Sequence, residues 1–280
     1  MRLHLIHFSP GGTTKQCVKN VAEGLGLPIA EEIDMAKFET RQKKYKFTKD
    51  DLVIIGFPTM TKLFGIPKEI LNLLSGDDTP FIGVVTSGGL LYGSGLIVLK
   101  KGMEKRGFRM VSAGAFVGQY SWDKNVSKGR PDAQDKMEQL DFGKKIYDKV
   151  IVRGDRSFNN KLRFDGPPAN SDALTRMKCI GMRLTPDSFL GSALPKSGRV
   201  FEVSNKCIKC KKCLNNCPMQ AISLTDGKIT HNKDKCIGCL RCLNGCPKEA
   251  ISFTDPFMIR AINASKPHFT KWRKPLDMFL

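Results

Sequence analysis

The sequence predicts an α/β fold for the first half of the chain, an open, doubly wound, five-stranded parallel sheet, followed by a small α+β module. Two observations carry this. Residues 1–150 alternate strand-like with helix-like patterns, the signature of a sheet covered by helices on both faces. Eight of the ten cysteines fall within 40 residues, Cys207 to Cys246, in two near-identical copies. A chain of 280 residues is long enough for two cores.

Taken in order, RLHLIHF reads as the first strand and Thr13 to Leu25 as a helix, and PIAEEID is the second strand. DLVIIGF is a continuous apolar run, which marks a strand buried on both faces. A helix is expected from Pro67 to Leu74, with proline at its first position. FIGVVTS is the fourth strand, Gly95 to Arg106 a helix, MVSAGAF the fifth strand, and Asp132 to Val152 a final amphipathic helix.

Composition agrees with a globular chain: 41% hydrophobic and 26% charged residues. MRLHLIHFSP lacks the apolar core and small-residue cleavage site of a signal peptide. The uncharged run Phe81 to Leu99 is broken by five glycines and by the polar Thr86, Ser87 and Ser94, so a strand, a turn and a helix start explain it better than a membrane span. A cytoplasmic location is expected, where clustered cysteines signify metal sites more often than disulfides. The formal charge of +19 is spread as +6 over residues 1–150, +5 over 151–200 and +8 over 201–280. No nucleic-acid-binding signature accompanies it, so no nucleic acid is expected, and an acidic protein partner is the expected counterpart.

CIKCKKCLNNCP at residue 207 returns 29 positions later as CIGCLRCLNGCP. Aligning Cys207–Asp226 with Cys236–Asp255 gives 13 identities in 20 positions, an internal duplication with expected pseudo-two-fold symmetry. Each copy should give a cysteine loop, a short helix after the third cysteine and a strand at Ala-Ile-Ser, with Asp226-Gly227 as a turn. Three thiolates in C-x-x-C-x-x-C wrap three corners of an iron–sulfur cube, and the fourth cysteine of each run reaches the other copy's cluster. One [4Fe–4S] cluster is then expected on Cys207, Cys210, Cys213 and Cys246, and a second on Cys236, Cys239, Cys242 and Cys217. Structural zinc needs only paired C-x-x-C and explains neither the third close cysteine nor the Cys-Pro. Lys209, Lys211 and Lys212 stand in the first loop where the second has Gly238, Leu240 and Arg241, so the first cluster is expected to be the easier to reduce. Residues 201–255 resemble a bacterial-type two-cluster ferredoxin.

Sheets of the expected kind bind ligands at the carboxyl ends of their strands. Three loops there are informative. Ser9-Pro10-Gly11-Gly12-Thr13-Thr14 offers backbone access, hydroxyls and a helix N-terminus to a phosphate, but it is not a P-loop. Pro58-Thr59-Met60-Thr61-Lys62-Leu63-Phe64 and Thr86-Ser87-Gly88-Gly89-Leu90-Leu91-Tyr92-Gly93 supply apolar and aromatic side chains able to flank a flat ring. This arrangement resembles the flavodoxin fold and its FMN site. Ser9, Gly12 and Thr14 match the family's [ST]-x-T-G-x-T pattern, which the chain leaves at Gly11. The resemblance implies FMN as cofactor, with Thr59 to Phe64 and Ser87 to Tyr92 bordering its ring and Gln119, Tyr120 and Trp122 closing one side. Packing at a loop is the equal alternative for Trp122.

Other features carry less. Gly93-Ser94-Gly95 is a fragment of a dinucleotide fingerprint, and direct nicotinamide use is not expected. Cys17 and Cys179 read as small buried hydrophobes. The four histidines form no ligand pattern. Residues 153–200 read as an ordered strap and the tail, 256–280, as packing back onto the body. The domain plan is therefore 1–152, 153–200, 201–255 and 256–280.

The whole resembles flavodoxin–ferredoxin fusion proteins, a family found largely in anaerobes. The resemblance implies a flavodoxin-like FMN domain joined to a small ferredoxin domain with two [4Fe–4S] clusters. Its expected function is electron transfer with an acidic redox protein (a ferredoxin, flavodoxin or oxidoreductase). Two alternatives stand beside it: a flavin-dependent reductase with a small substrate on the ring, lined by Tyr92, Tyr120 and Trp122, and a redox-sensing regulator. Homo-oligomers are compatible with all three.

Overall fold

In the computed structural model the described residues are 1–59, 68–89, 91–121, 123–165, 172–174, 176–177, 180, 201–253, 263 and 277–280. The first unit comprises Arg2–His7 (β1), Thr13–Leu25 (α1), Ile29–Asp34 (β2), Asp51–Pro58 (β3), Lys68–Leu71 (α2), Thr79–Ser87 (β4), Gly95–Glu104 (α3), Phe108–Val117 (β5) and Ala133–Ile146 (α4). The second comprises Phe201–Val203 (β6), Lys212–Asn215 (α5), Ile222–Thr225 (β7), Lys228–His231 (β8), Arg241–Asn244 (α6) and Ile251–Phe253 (β9). Asp277–Phe279 (β10) follows.

The main sheet runs β10-β5-β4-β3-β1-β2. Its five parallel strands take the order 2-1-3-4-5, the flavodoxin-like variant of the doubly wound sheet. Alternation along β3 explains why its sequence is apolar throughout. Leu52 and Ile54 join a core with Val18, Val21 and Phe142 under α1 and α4. Val53, Ile55 and Phe57 join the opposite core with Leu96, Leu99 and Met103 of α3. With both faces covered, a strand has no polar side to show. At the sheet edge β2 exposes four of its six residues and is correspondingly acidic.

The sixth strand is an addition to the five expected. β10 pairs antiparallel with β5, Asp277 opposite Ala115 and Phe279 opposite Ala113. Ser112 Oγ donates to the Phe279 carbonyl at 2.7 Å, and Phe279 packs on the α3-side core. The expected return of the tail to the body thus holds for residues 277–280. The expected strap holds for residues 153–165, where Phe158 and Leu162 pack on the same core and Lys149 Nζ donates to the Val111 and Ser157 carbonyls.

Helices α1 and α4 meet backbone to backbone. A Cβ on Gly24 would lie 2.1 Å from the Leu140 carbonyl oxygen, and one on Gly143 would lie 2.3 Å from that of Val21. Within the contact Gln16 donates to Asn20 and Asn20 to Gln139, each at 2.7 Å. A capping box between Asp132 and Asp135 starts α4. Helix ends differ from expectation at three places. Only Lys68–Leu71 of the Pro67–Leu74 helix is described as helical, because the chain then enters a short strand, Leu74–Ser75, parallel to Tyr45–Lys46. α3 stops at Glu104, where Gly107 takes φ 83°. Beyond Ile146 the last helix widens to π geometry over Tyr147–Val152. Among the described residues no helix is long and apolar enough to cross a membrane. Phe81 to Leu99 is the expected strand, turn and helix start.

In the second unit β7 and β8 form a hairpin whose turn residues Asp226 and Gly227 take φ of 49° and 71°, the positive values a type I′ turn requires. β6 pairs antiparallel with β9.

Candidate functional site

Each cysteine run begins as an open loop and tightens into one helical turn at its third cysteine, α5 at Cys213 and α6 at Cys242. The residues before each turn, Lys211 and Leu240, hold φ of 60° and 57°. That left-handed step folds the loop back over itself, so its cysteines face inward. Two cavities result. Cys207, Cys210, Cys213 and Cys246 line one, with Ile229, Pro247 and Ile251. Cys217, Cys236, Cys239 and Cys242 line the other, with Pro218, Ile237 and Leu240. Each cavity takes three cysteines from one run and the fourth from the other.

The donor set fits an iron–sulfur cluster. Thiolate ligands, an apolar lining and backbone N–H groups aimed at sulfur are the means by which proteins hold and tune such clusters. The two crossing cysteines accept equivalent bonds, Cys217 Sγ from Ala221 N–H at 3.2 Å and Cys246 Sγ from Ala250 N–H at 3.3 Å. Cys236 Sγ accepts from Gly238 N–H at 3.3 Å. As free thiols, Cys239 and Cys242 are pushed up to about 12 by burial, with neighbouring cysteines adding to the shift. Positive charge in the cage is what would hold them as thiolates. Among the described residues no three ligand side chains converge on a point suited to a single metal ion.

The two copies differ in surroundings. Ile237, of the second loop, packs on the α3-side core of the α/β unit. Asn244 Nδ2 donates to the Ser121 carbonyl at 2.9 Å. The guanidinium of Arg41 donates to the Pro218 carbonyl, next to Cys217. Lys124 and Glu249 pair at 3.6 Å. Among the described residues the first loop has no such cover: Ile208, the counterpart of Ile237, is 57% exposed.

The contact with Ser121 places the second cage beside the carboxyl ends of the parallel strands. There the loops after β1, β4 and β5 converge. A Cβ on Gly11 would lie 3.2 Å from Ser121 Oγ, and one on Gly118 would lie 3.1 Å from Thr13. The Tyr120 ring lies over Gly88, where a Cβ would come within 2.8 Å of it. Ser127 Oγ donates to the Gly88 carbonyl at 2.7 Å, and Gly118 N–H to that of Ser87 at 2.8 Å. Thr59, after β3, donates from its N–H to the Thr86 carbonyl at 2.7 Å and lies against Gly95.

The first loop departs from expectation at one hydroxyl. Thr14 is 1% exposed and its Oγ1 is 2.6 Å from Thr86 Oγ1, which ties the loop to β4. Ser9 Oγ accepts from Lys15 N–H at 3.0 Å, leaving its own hydrogen to donate. The backbone N–H groups of Thr13 and Thr14 have no partner among the described residues. Gly12 takes φ 88°, which sets them at the open helix N-terminus.

Tyr92 also departs. Its side chain is 5% exposed within the α3-side core, and burial, then Asp277 and Asp165, push its phenol upward. It is a core residue and not part of a ring-facing wall. The loop is held from behind by Asp165, whose carboxylate accepts from the Tyr92 and Gly93 N–H groups at 3.0 and 2.6 Å. Gln119 is turned to its own loop, accepting from Gly129 N–H at 3.3 Å. Tyr120 is pushed up to about 12 by burial. Met60, Thr61, Lys62, Leu63, Phe64, Leu90, Trp122 and Cys179 lie outside the described residues.

Comparison with known proteins finds likenesses to each unit separately. Residues 202–253 match the model of the family described as 4Fe-4S dicluster domain. No curated protein matches the chain. Among solved structures, a flavodoxin from the domain Archaea is 14% identical, with 54% of this chain and 99% of that chain covered and a TM-score of 0.37. Flavodoxin 1 from Bacillus cereus is 15% identical, with 51% and 95% covered and a TM-score of 0.35. The flavodoxin of Streptococcus pneumonia TIGR4 is 15% identical, with 52% and 97% covered and a TM-score of 0.32. The strand order, and not these likenesses, carries the fold.

Fold and cysteine pattern together define a flavodoxin-like α/β unit joined to an iron–sulfur module of the ferredoxin type. The arrangement matches a flavodoxin–ferredoxin fusion.

Proposed function

We propose that the chain is an electron-transfer protein that holds FMN at the loop-lined end of its α/β unit and two [4Fe–4S] clusters in its cysteine cages. The observation that supports this most is the placement of the second cage against that end, through Asn244 and Ser121. A flavin exchanges electrons singly or in pairs and a cluster one at a time, so adjacent sites permit conversion between the two. Ser9 and the N–H groups of Thr13 and Thr14 hold the phosphate; Gly11 and Gly12 let it approach. Thr59, Ser87, Gly88 and Tyr120 border the ring. Cys207, Cys210, Cys213 and Cys246 hold the outer cluster, and Cys217, Cys236, Cys239 and Cys242 the inner one. An acidic redox protein exchanges electrons with the chain in a reducing cytoplasm.

The test is anaerobic reconstitution with flavin, iron and sulfide measured on one sample. About one flavin and about eight irons per chain are expected, as two four-iron clusters require. Bound zinc in place of iron, or no retained flavin, would reject the reading.

A further inference from the structure

The duplicated cysteine loops have the same backbone and opposite surroundings. Lys209 and Gly238 take φ of 54° and 67°, and Lys211 and Leu240 take 60° and 57°. The second copy is covered by the chain's own α/β unit: Leu240 is 8% exposed and Ile237 packs on the core. At the matching positions of the first copy Ile208 is 57% exposed, and Lys209, Lys211, Lys212 and the ligand Cys210 are all exposed; Ile208 and these lysines also border the cysteine cavity. None of these lysines has an acidic partner among the described residues. Lys209 continues, with Lys228 and Lys233, along a concavity that reaches Cys207.

We propose that this face, Ile208 ringed by lysines, is the docking site of an acidic one-electron carrier protein. The inference rests on the electron-transfer reading above and adds the place of entry. An exposed aliphatic side chain in a basic ring suits a protein with an apolar centre and an acidic rim. A nucleic-acid backbone would use the lysines and leave Ile208 without a role. The step is outer-sphere: one electron leaves the reduced carrier and is taken up by the centre on Cys207, Cys210, Cys213 and Cys246, and no bond forms or breaks. Among the described residues the first copy is the less covered approach, and unlike charge steers the encounter.

The experiment is stopped-flow mixing of the reconstituted full chain with a purified, stoichiometrically reduced acidic ferredoxin, at low and high salt. The K209E/K211E/K212E variant should be reduced at least about tenfold more slowly at low salt and lose the parent's salt dependence. I208S should slow reduction at both salts. A control of equal charge change on the α/β unit, K101E/K105E/K144E, should behave like the parent, and a potentiometric titration of every variant separates a shift of the outer cluster's own potential, which would also slow reduction, from a loss of docking. Equal slowing by the control variant would assign the effect to net charge and overturn the proposal. So would an unchanged rate in the first variant. Binding of a labelled DNA duplex that K209E/K211E/K212E abolishes, with ferredoxin reduction unaffected, would give the face to nucleic acid instead. A parent that takes up no iron would overturn the electron-transfer reading and this inference with it, whereas normal clusters with an indifferent face would overturn this inference alone.

Discussion

Arg41 shows how one side chain crosses between the units. It leaves the short 3-10 turn at Glu39–Gln42, half-buried, and reaches the Pro218 carbonyl. Burial lowers its pKa, while Cys217, Glu39 and Cys239 raise it. A half-buried cation beside two ligand positions favours the reduced, more negative cluster. R41Q should therefore lower the potential of the inner cluster and leave the outer one unchanged, as read by potentiometric titration with electron paramagnetic resonance. The expectation that the outer cluster is the easier to reduce rests on Lys209, Lys211 and Lys212, which stand in water where their field is screened. Arg41 lies 166 positions before Cys207, and no spacing rule within the cysteine runs points to it. Asp165 was equally silent in the sequence. D165A leaves two buried N–H groups without an acceptor and should cost about 1–3 kcal/mol, measurable by denaturant unfolding, and should weaken flavin binding.

Glu32 supplies the acid response. Burial raises its pKa, but hydrogen bonds from Lys15, Lys19 and His7 outweigh this and hold it at about 2. A carboxylate depressed in the folded state stabilises the fold above its unfolded pKa, and that stability is lost as pH falls through the folded value. E32Q should be less stable than the parent at neutral pH, and the two stabilities should converge as pH drops from about 4.5 towards 2.

At the scale of elements, the strands were legible because burial on both faces leaves a continuous apolar run, and α1 was legible to its ends because Gly12 and Gly26 bracket it with positive φ. The close approach of α1 and α4 was not. A glycine inside a helix reads as a weakness, yet at Gly24 and Gly143 it is what lets two backbones touch. G143A should cost about 3 kcal/mol, through overpacking that neither helix can relieve alone. Thermal unfolding checks this. The loop after β1 was legible in position, with Gly12 opening α1 at positive φ, whereas the contact of the Thr14 hydroxyl with that of Thr86 was not. A motif names residue types and not the direction a side chain takes. Tyr92 makes the same point, since its loop position suggested a ring wall and tertiary packing turned it inward.

For the whole molecule, the two cysteine runs were legible as a pair, because a duplicated unit with crossing fourth ligands has few alternatives. Their asymmetry was visible only as Lys-Lys against Gly-Leu, and its meaning required the α/β unit to cover one copy. The division at residue 201 hides a further relation. Before the cysteine runs Asp165 is fastened to Tyr92 and Gly93 of the α/β unit, and after them Asp277–Phe279 is fastened to β5 of that same unit. The cysteine module is therefore an insertion with two moorings, not an appendage on one leash. One engineered protease cut between residues 166 and 200 should leave the fragments together on a native gel. Because both moorings belong to one chain, the module and the α/β unit meet at an effective concentration that is independent of how dilute the protein is.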